Sequence, residues 1–232
     1  ATMKLNGLKT LLSVAVNFFV FFNFFQLYVM LNLTPFFWLF LTAAFIFTIL
    51  SLWLVIGFNK QWFVTCASVV SGTVIALLIG LIAMNVTNGK GVHYEALDYA
   101  TQSPKQLFLA ATVIGLLGTV MDAATDIVST LFEMKRTDEK ISERQLFKSG
   151  MAVGRSIMGP LINVLLMIFF AETFTMAILY FKTGNSIAYT FEWTMALGIV
   201  QTLVSGIGVT LVIPCASFLS AKVLGGAQDV ND

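Results

Sequence analysis

Gln106–Met134, QLFLAATVIGLLGTVMDAATDIVSTLFEM, is the stretch on which the fold turns. It is apolar and long enough to cross a bilayer as a helix, since a span needs about 20 residues at about 1.5 Å each. Yet it carries Asp122, Asp126 and Glu133. With Ser129 these follow a spacing of four, three and four residues. At about 100° per residue, all four side chains share one helical face. An aspartate at the bilayer centre costs roughly 2.5 to 3.5 kcal/mol on insertion scales, so such a face normally turns toward other helices or water. Counting back from Met134 at about 1.5 Å per residue puts Asp122 about 18 Å away, near mid-span, and Asp126 about 12 Å away. Glu133 falls near the surface. Ser103, Pro104 and Gln106 mark the helix start as N-cap, first helical proline and third-position glutamine.

Composition extends the reading to the whole chain. Of 232 residues, 58% are hydrophobic and 11% charged, 22 are Phe, and mean hydropathy is +0.88. These values predict an all-α fold, a polytopic transmembrane helical bundle forming a single domain over 1–232. About six spans are expected: Leu11–Asn32, Phe36–Phe58, Trp62–Val86, the central helix, Ser156–Phe181 and Trp193–Lys222. The first run exceeds a signal-peptide core and lacks a small-x-small site after it, so it reads as a retained helix. Asn17, Asn23 and Gln26 within it are expected to hydrogen-bond between helices. Cys66 and Cys215 lie in apolar segments without ligand spacing, which predicts no disulfide, metal or cofactor. The net charge of +1 says little about partners, and the sequence carries no nucleic-acid signature.

Small residues mark the packing faces. Ser68, Gly72, Ala76 and Gly80 recur every fourth residue in the third span, and Gly115, Thr119 and Ala123 give the central one a second small stripe beside Gly118 and Asp122. Small side chains let two helix backbones approach, so a neighbouring helix is expected close to the acidic face. Residues 87–105 form a polar, extracytoplasmic loop in which His93, the only histidine, reads as a solvated residue. Residues 135–155 form a basic cytoplasmic loop, where Ser142 and Gln145 have capping-box spacing ahead of a short helix at the membrane surface. Pro214 is expected to kink the last span. Counting cations on each side puts ten of the 13 Lys and Arg inside and three, Lys90, Lys105 and Lys182, outside. That asymmetry predicts a multi-pass protein of the cell membrane, inner or plasma, with both termini cytoplasmic.

Several stretches carry a family likeness. Gly115–Glu133 with its GLLGTVMD, Ser149–Leu165 (SGMAVGRSIMGPLINVL) and Ile199–Leu219 (IVQTLVSGIGVTLVIPCASFL), preceded by Tyr94–Asp98, resemble the YibE/F-like bacterial membrane proteins of the short, YibF-like type. The resemblance covers about half the chain, from Tyr94 to Leu219. It implies a multi-span inner-membrane protein, often encoded as two related short proteins, and hence a YibE-type membrane partner or a homo-oligomer. Asp122, Gly154, Arg155, Gly159 and Asn163 match the family's pattern. Ser156 stands where the family has aspartate, Gln201 where arginine is common, and Asp126 where a small residue is usual, which suggests charge shared between two paralogues.

Function is expected from the acidic face. The first reading is a transporter or permease subunit in which Asp122, Asp126 and Asn163 couple a proton or cation, supported by Arg155, Ser129, Gln201 and Glu172. Two carboxylates one turn apart in a poorly hydrated place cannot both ionise cheaply, so they titrate as a pair. The alternative is a non-transporting structural or assembly subunit whose polar groups only join helices. An enzyme is not expected, because both aspartates lie on one helix and no second acidic motif or His-based constellation accompanies them.

Overall fold

The computed structural model describes residues 15–16, 18–24, 26, 30, 36–87, 93–94 and 104–225. Among them five helices are long and apolar enough to cross a membrane. They are α1 (Phe36–Ile56), α2 (Lys60–Val86), α3 (Pro104–Thr137), α4 (Glu143–Lys182) and α5 (Ile187–Gly225), the last widened to a π-helical turn at Phe191–Met195. No strand occurs among the described residues. The bundle is therefore all-α, with five of about six expected spans seen whole. Of Leu11–Asn32, only 15–16, 18–24, 26 and 30 are described, and these are helical. Phe21 packs on Phe47 at 6.0 Å and Phe24 edge-on to Phe40 at 6.2 Å, so this stretch lies along α1. Asn23 donates its amide to the Phe19 carbonyl at 2.7 Å rather than to another helix, because its own carbonyl one turn back is nearer. Asn17 and Ser103 lie outside the described residues.

Local chemistry sets the breaks. Gly57, at φ 82°, ends α1 in a conformation that a Cβ disfavours. The Asn59 side chain then accepts from the Trp62 amide and starts α2. Ser142 and Gln145 form a reciprocal capping box at the start of α4. Gly184, at φ 85°, follows its end. The short surface helix expected before Ser156 is not separate: α4 runs 40 residues without a break. Nothing in 143–155 terminates a helix, and its two glycines serve close contact instead. Gly150 lies against Ser217 and Leu131, and Gly154 against Ile213. At about 60 Å, α4 is roughly twice the thickness of a hydrocarbon core, more than a single crossing needs.

Helix α5 is the hub and packs on α2, α3 and α4, while α1 lies on α3 and α2. Close approach depends on small side chains, since van der Waals contact drives association where lipid is as apolar as leucine. The stripe Ser68, Gly72, Ala76 and Gly80 is buried. A Cβ on Gly72 would stand 2.9 Å from Val212, and one on Gly80 3.0 Å from Val204. Gly208 of α5 faces back into Leu116, Val120 and Ala76. These contacts close a core of Val69, Ala76, Leu116, Val120, Ala123 and Val209, all at 0% exposure.

Candidate functional site

The acidic face of α3 is assembled as its spacing requires, but it turns outward. Asp122, Asp126 and Glu133 are exposed and Ser129 is half-buried, whereas Val120, Ala123, Ala124, Ile127 and Leu131 are completely buried. The expected neighbour over Asp122 is absent among the described residues. A Cβ on Gly118 would meet nothing within 4 Å, while Gly115 faces Gln201 of α5. The reason is the relative size of the two faces: α3 gains more contact by turning its Leu, Val and Ile side to α2, α4 and α5.

Neither Asp122 nor Asp126 forms a side-chain hydrogen bond or salt bridge among the described residues. The nearby hydroxyls serve the backbone instead. Ser129 Oγ donates to the Asp126 carbonyl at 3.1 Å and Thr130 Oγ1 to the same oxygen at 2.7 Å. Glu133, one turn from the helix end, lies 3.8 Å from Arg136. On α4, Arg155, Ser156, Gly159 and Asn163 are also exposed, and Arg155 has no ion pair among the described residues. On the helical wheel, Ser156, Gly159 and Asn163 lie opposite Gly154, which packs on α5. They thus form a second outward polar strip.

Glu172 and Gln201 belong to a different place. Both line a cleft of about 170 Å³ between α3, α4 and α5, together with Phe108, Thr173, Tyr180, Trp193, Thr194 and others. Gln201 donates through Nε2 to the Ala111 carbonyl at 3.5 Å, the outer limit of a hydrogen bond. Ala111 precedes Asp122 by about 16 Å along α3, so the cleft and the acidic pair occupy different levels of the bundle.

The cleft's aromatic end is joined to the loop. His93 Nε2 lies 2.9 Å from Glu192 Oε1, and its ring stacks on Trp193 at 4.4 Å and 9°. Trp193 stacks in turn on Tyr189 at 5.7 Å, and Tyr189 on Tyr180 at 6.3 Å. Beside His93, Tyr94 meets Phe108 edge-on at 5.7 Å, and burial pushes its phenol above the usual range. His93 is therefore not the solvated residue that its loop position suggests. Its carboxylate and ring partners come from α5, about a hundred residues on, which no local pattern in the loop reveals. The π-helical turn at Phe191–Met195 is a geometry frequent at functional sites, and it holds both Glu192 and Trp193.

A family model described as YibE/F-like protein matches residues 1–226, well beyond the stretch from Tyr94 to Leu219 that carries the motifs. No curated protein and no solved structure matches the chain.

Proposed function

The chain belongs to the YibE/F-like family of membrane proteins, and from that premise we propose that it is one subunit of a cell-membrane transporter or permease. In this reading Asp122 and Asp126 bind a proton or cation at a junction with a second membrane subunit, either another copy or a YibE-type paralogue. One observation carries it: two carboxylates lie near the middle of α3 on a face that stays exposed, with no cation or donor among the described residues. In hydrocarbon each costs roughly 2.5 to 3.5 kcal/mol. The cost is relieved if a partner or a water path covers the face, or if the pair holds a proton. The outward strip of Ser156, Gly159 and Asn163 supports the same reading, since an amide in lipid also wants a partner. Ten cations on the side of 135–155 support cytoplasmic termini. The chain is then a carrier component rather than an enzyme.

The test is flux of protons and common cations in vesicles, with the chain reconstituted alone and with a co-expressed paralogue. Asp122→Asn keeps size and hydrogen-bonding capacity but cannot ionise. Flux lost in that variant, with insertion and assembly intact, supports coupling. The alternative, an assembly subunit, is favoured by the glycine contacts that extend along α2, α4 and α5. It expects Asp122→Asn to assemble and function as wild type, with no ion movement in either preparation.

A further inference from the structure

The cleft between α3, α4 and α5 has a chemistry of its own, and we infer that it binds a small organic ammonium ion. Its polar lining is rich in acceptors. Glu172 supplies a carboxylate with no cation or hydrogen-bond donor among the described residues. Thr173 and Thr194 spend their hydroxyl protons on the carbonyls of Phe169 and Thr190, at 2.8 and 2.7 Å, which leaves their oxygens as acceptors. Gln201 gives one of its two amide N–H groups to Ala111, and its amide oxygen has no donor among the described residues. Among the described residues no Lys or Arg lines the cleft. Acceptors gathered without a cation are complementary to a ligand that brings positive charge and N–H or O–H donors.

The apolar lining narrows the class. Phe108, Met176, Tyr180, Trp193 and Leu197 give it apolar walls, which suit the alkyl groups of an alkylated ammonium ion, while His93 and Tyr189 already stack on Trp193. A bare alkali ion gains less from such walls, because it needs several oxygens in place of its water. From Tyr180 to Glu172 along α4, and from Trp193 to Gln201 along α5, the separation is about 12 Å. The cleft is thus elongated, with Tyr180, Trp193 and Thr194 at the end near His93 and Glu172 and Gln201 at the other. Its volume, about 170 Å³, is below the roughly 300 to 1,000 Å³ of drug-sized sites. The two loop residues described beside it hold two of its walls, His93 on Trp193 and Tyr94 on Phe108.

Binding can be read without flux, so the inference stands or falls separately from the transport reading. Isothermal titration of the purified full chain in detergent, with choline as probe and its uncharged isostere 3,3-dimethyl-1-butanol as control, is the experiment. Choline should saturate, and the alcohol should bind at least about tenfold more weakly. Glu172→Gln should weaken choline about tenfold, Trp193→Phe by a smaller factor with the fold kept, and Glu133→Gln at the far end of α3 not at all. No saturable binding by the wild type, equal binding of the alcohol, or full affinity in Glu172→Gln overturns the inference. Sodium or potassium displacing choline, with Glu172→Gln impaired and Trp193→Phe unchanged, overturns it in favour of a metal cation.

Discussion

Two places in the bundle hold acids within its long apolar helices, and they are built in opposite ways. Asp122 and Asp126 lie on a bare face of α3 beside a glycine with nothing within 4 Å. Glu172 lines a cleft made by three helices, at whose aromatic end a loop histidine is stacked. The first place has no helix over it among the described residues, and the second is walled by three helices of the chain. An acid in lipid therefore does not reveal its role by depth alone. What covers it separates a junction from a pocket.

The sharpest way to break this contrast is to make the bare face apolar. Asp122→Leu with Asp126→Leu should abolish flux, since the acid left on the face, Glu133, lies one turn from the helix end beside Arg136. It should also raise the thermal stability of the isolated subunit in lipid. Insertion scales put the exchange of Asp for Leu at about 3 to 4 kcal/mol per site at the bilayer centre. A fall in melting temperature instead would mean that the carboxylates are held within their own chain.

A smaller effect separates the open glycine from the packed ones. Gly208→Ala pushes a methyl into Leu116 and Val120 at the core and should cost about 1 to 3 kcal/mol. Gly118→Ala meets nothing and should stay within about 0.5 kcal/mol in the isolated subunit. Denaturation midpoints in one detergent compare the two. If Gly118→Ala is neutral alone but weakens association with the paralogue, the bare face is a contact surface.

These contrasts also mark what the sequence could say. The spacing of Asp122, Asp126, Ser129 and Glu133 places them on one face, because helical periodicity is a local property. It leaves open which way that face turns, since that depends on how much contact the other side gains from helices elsewhere in the chain. The Ser142–Gln145 box was legible for the same local reason, but not the unbroken run of α4 behind it. There the glycines that look like weak points are contact sites for Ile213 and Ser217. Glu172 and Gln201 each stand out as polar residues in apolar spans. Nothing in either span says that they line one cleft, and His93 with Glu192, 99 residues apart, is further still from any local pattern.

The cap over the cleft should yield the smaller changes. His93→Ala removes the stack on Trp193 and the contact with Glu192, each of which is partly solvated. A loss of about 1 kcal/mol is expected. It should appear as faster proteolysis within 87–105 and a red shift of Trp193 emission, with flux through the acidic face unchanged. An unchanged cleavage rate would mean that the stack does not hold the loop.

Tyr94 gives the finest test, because its packing and its titration can be separated. Burial disfavours the phenolate, so the folded chain holds the Tyr94 proton to higher pH than the unfolded chain, whose value is about 10. The sign follows from linkage: once pH rises past the unfolded value, the unfolded state binds fewer protons than the folded one, and stability falls until the folded group also ionises. Below that range the group contributes no pH dependence. Absorbance titration of the five tyrosines should show a late component. Tyr94→Phe keeps the ring against Phe108 and should remove that component while leaving stability at neutral pH almost unaltered. A late component that persists belongs to another tyrosine, and Tyr94 is then open to water while the cleft's Phe108 wall stands without the loop.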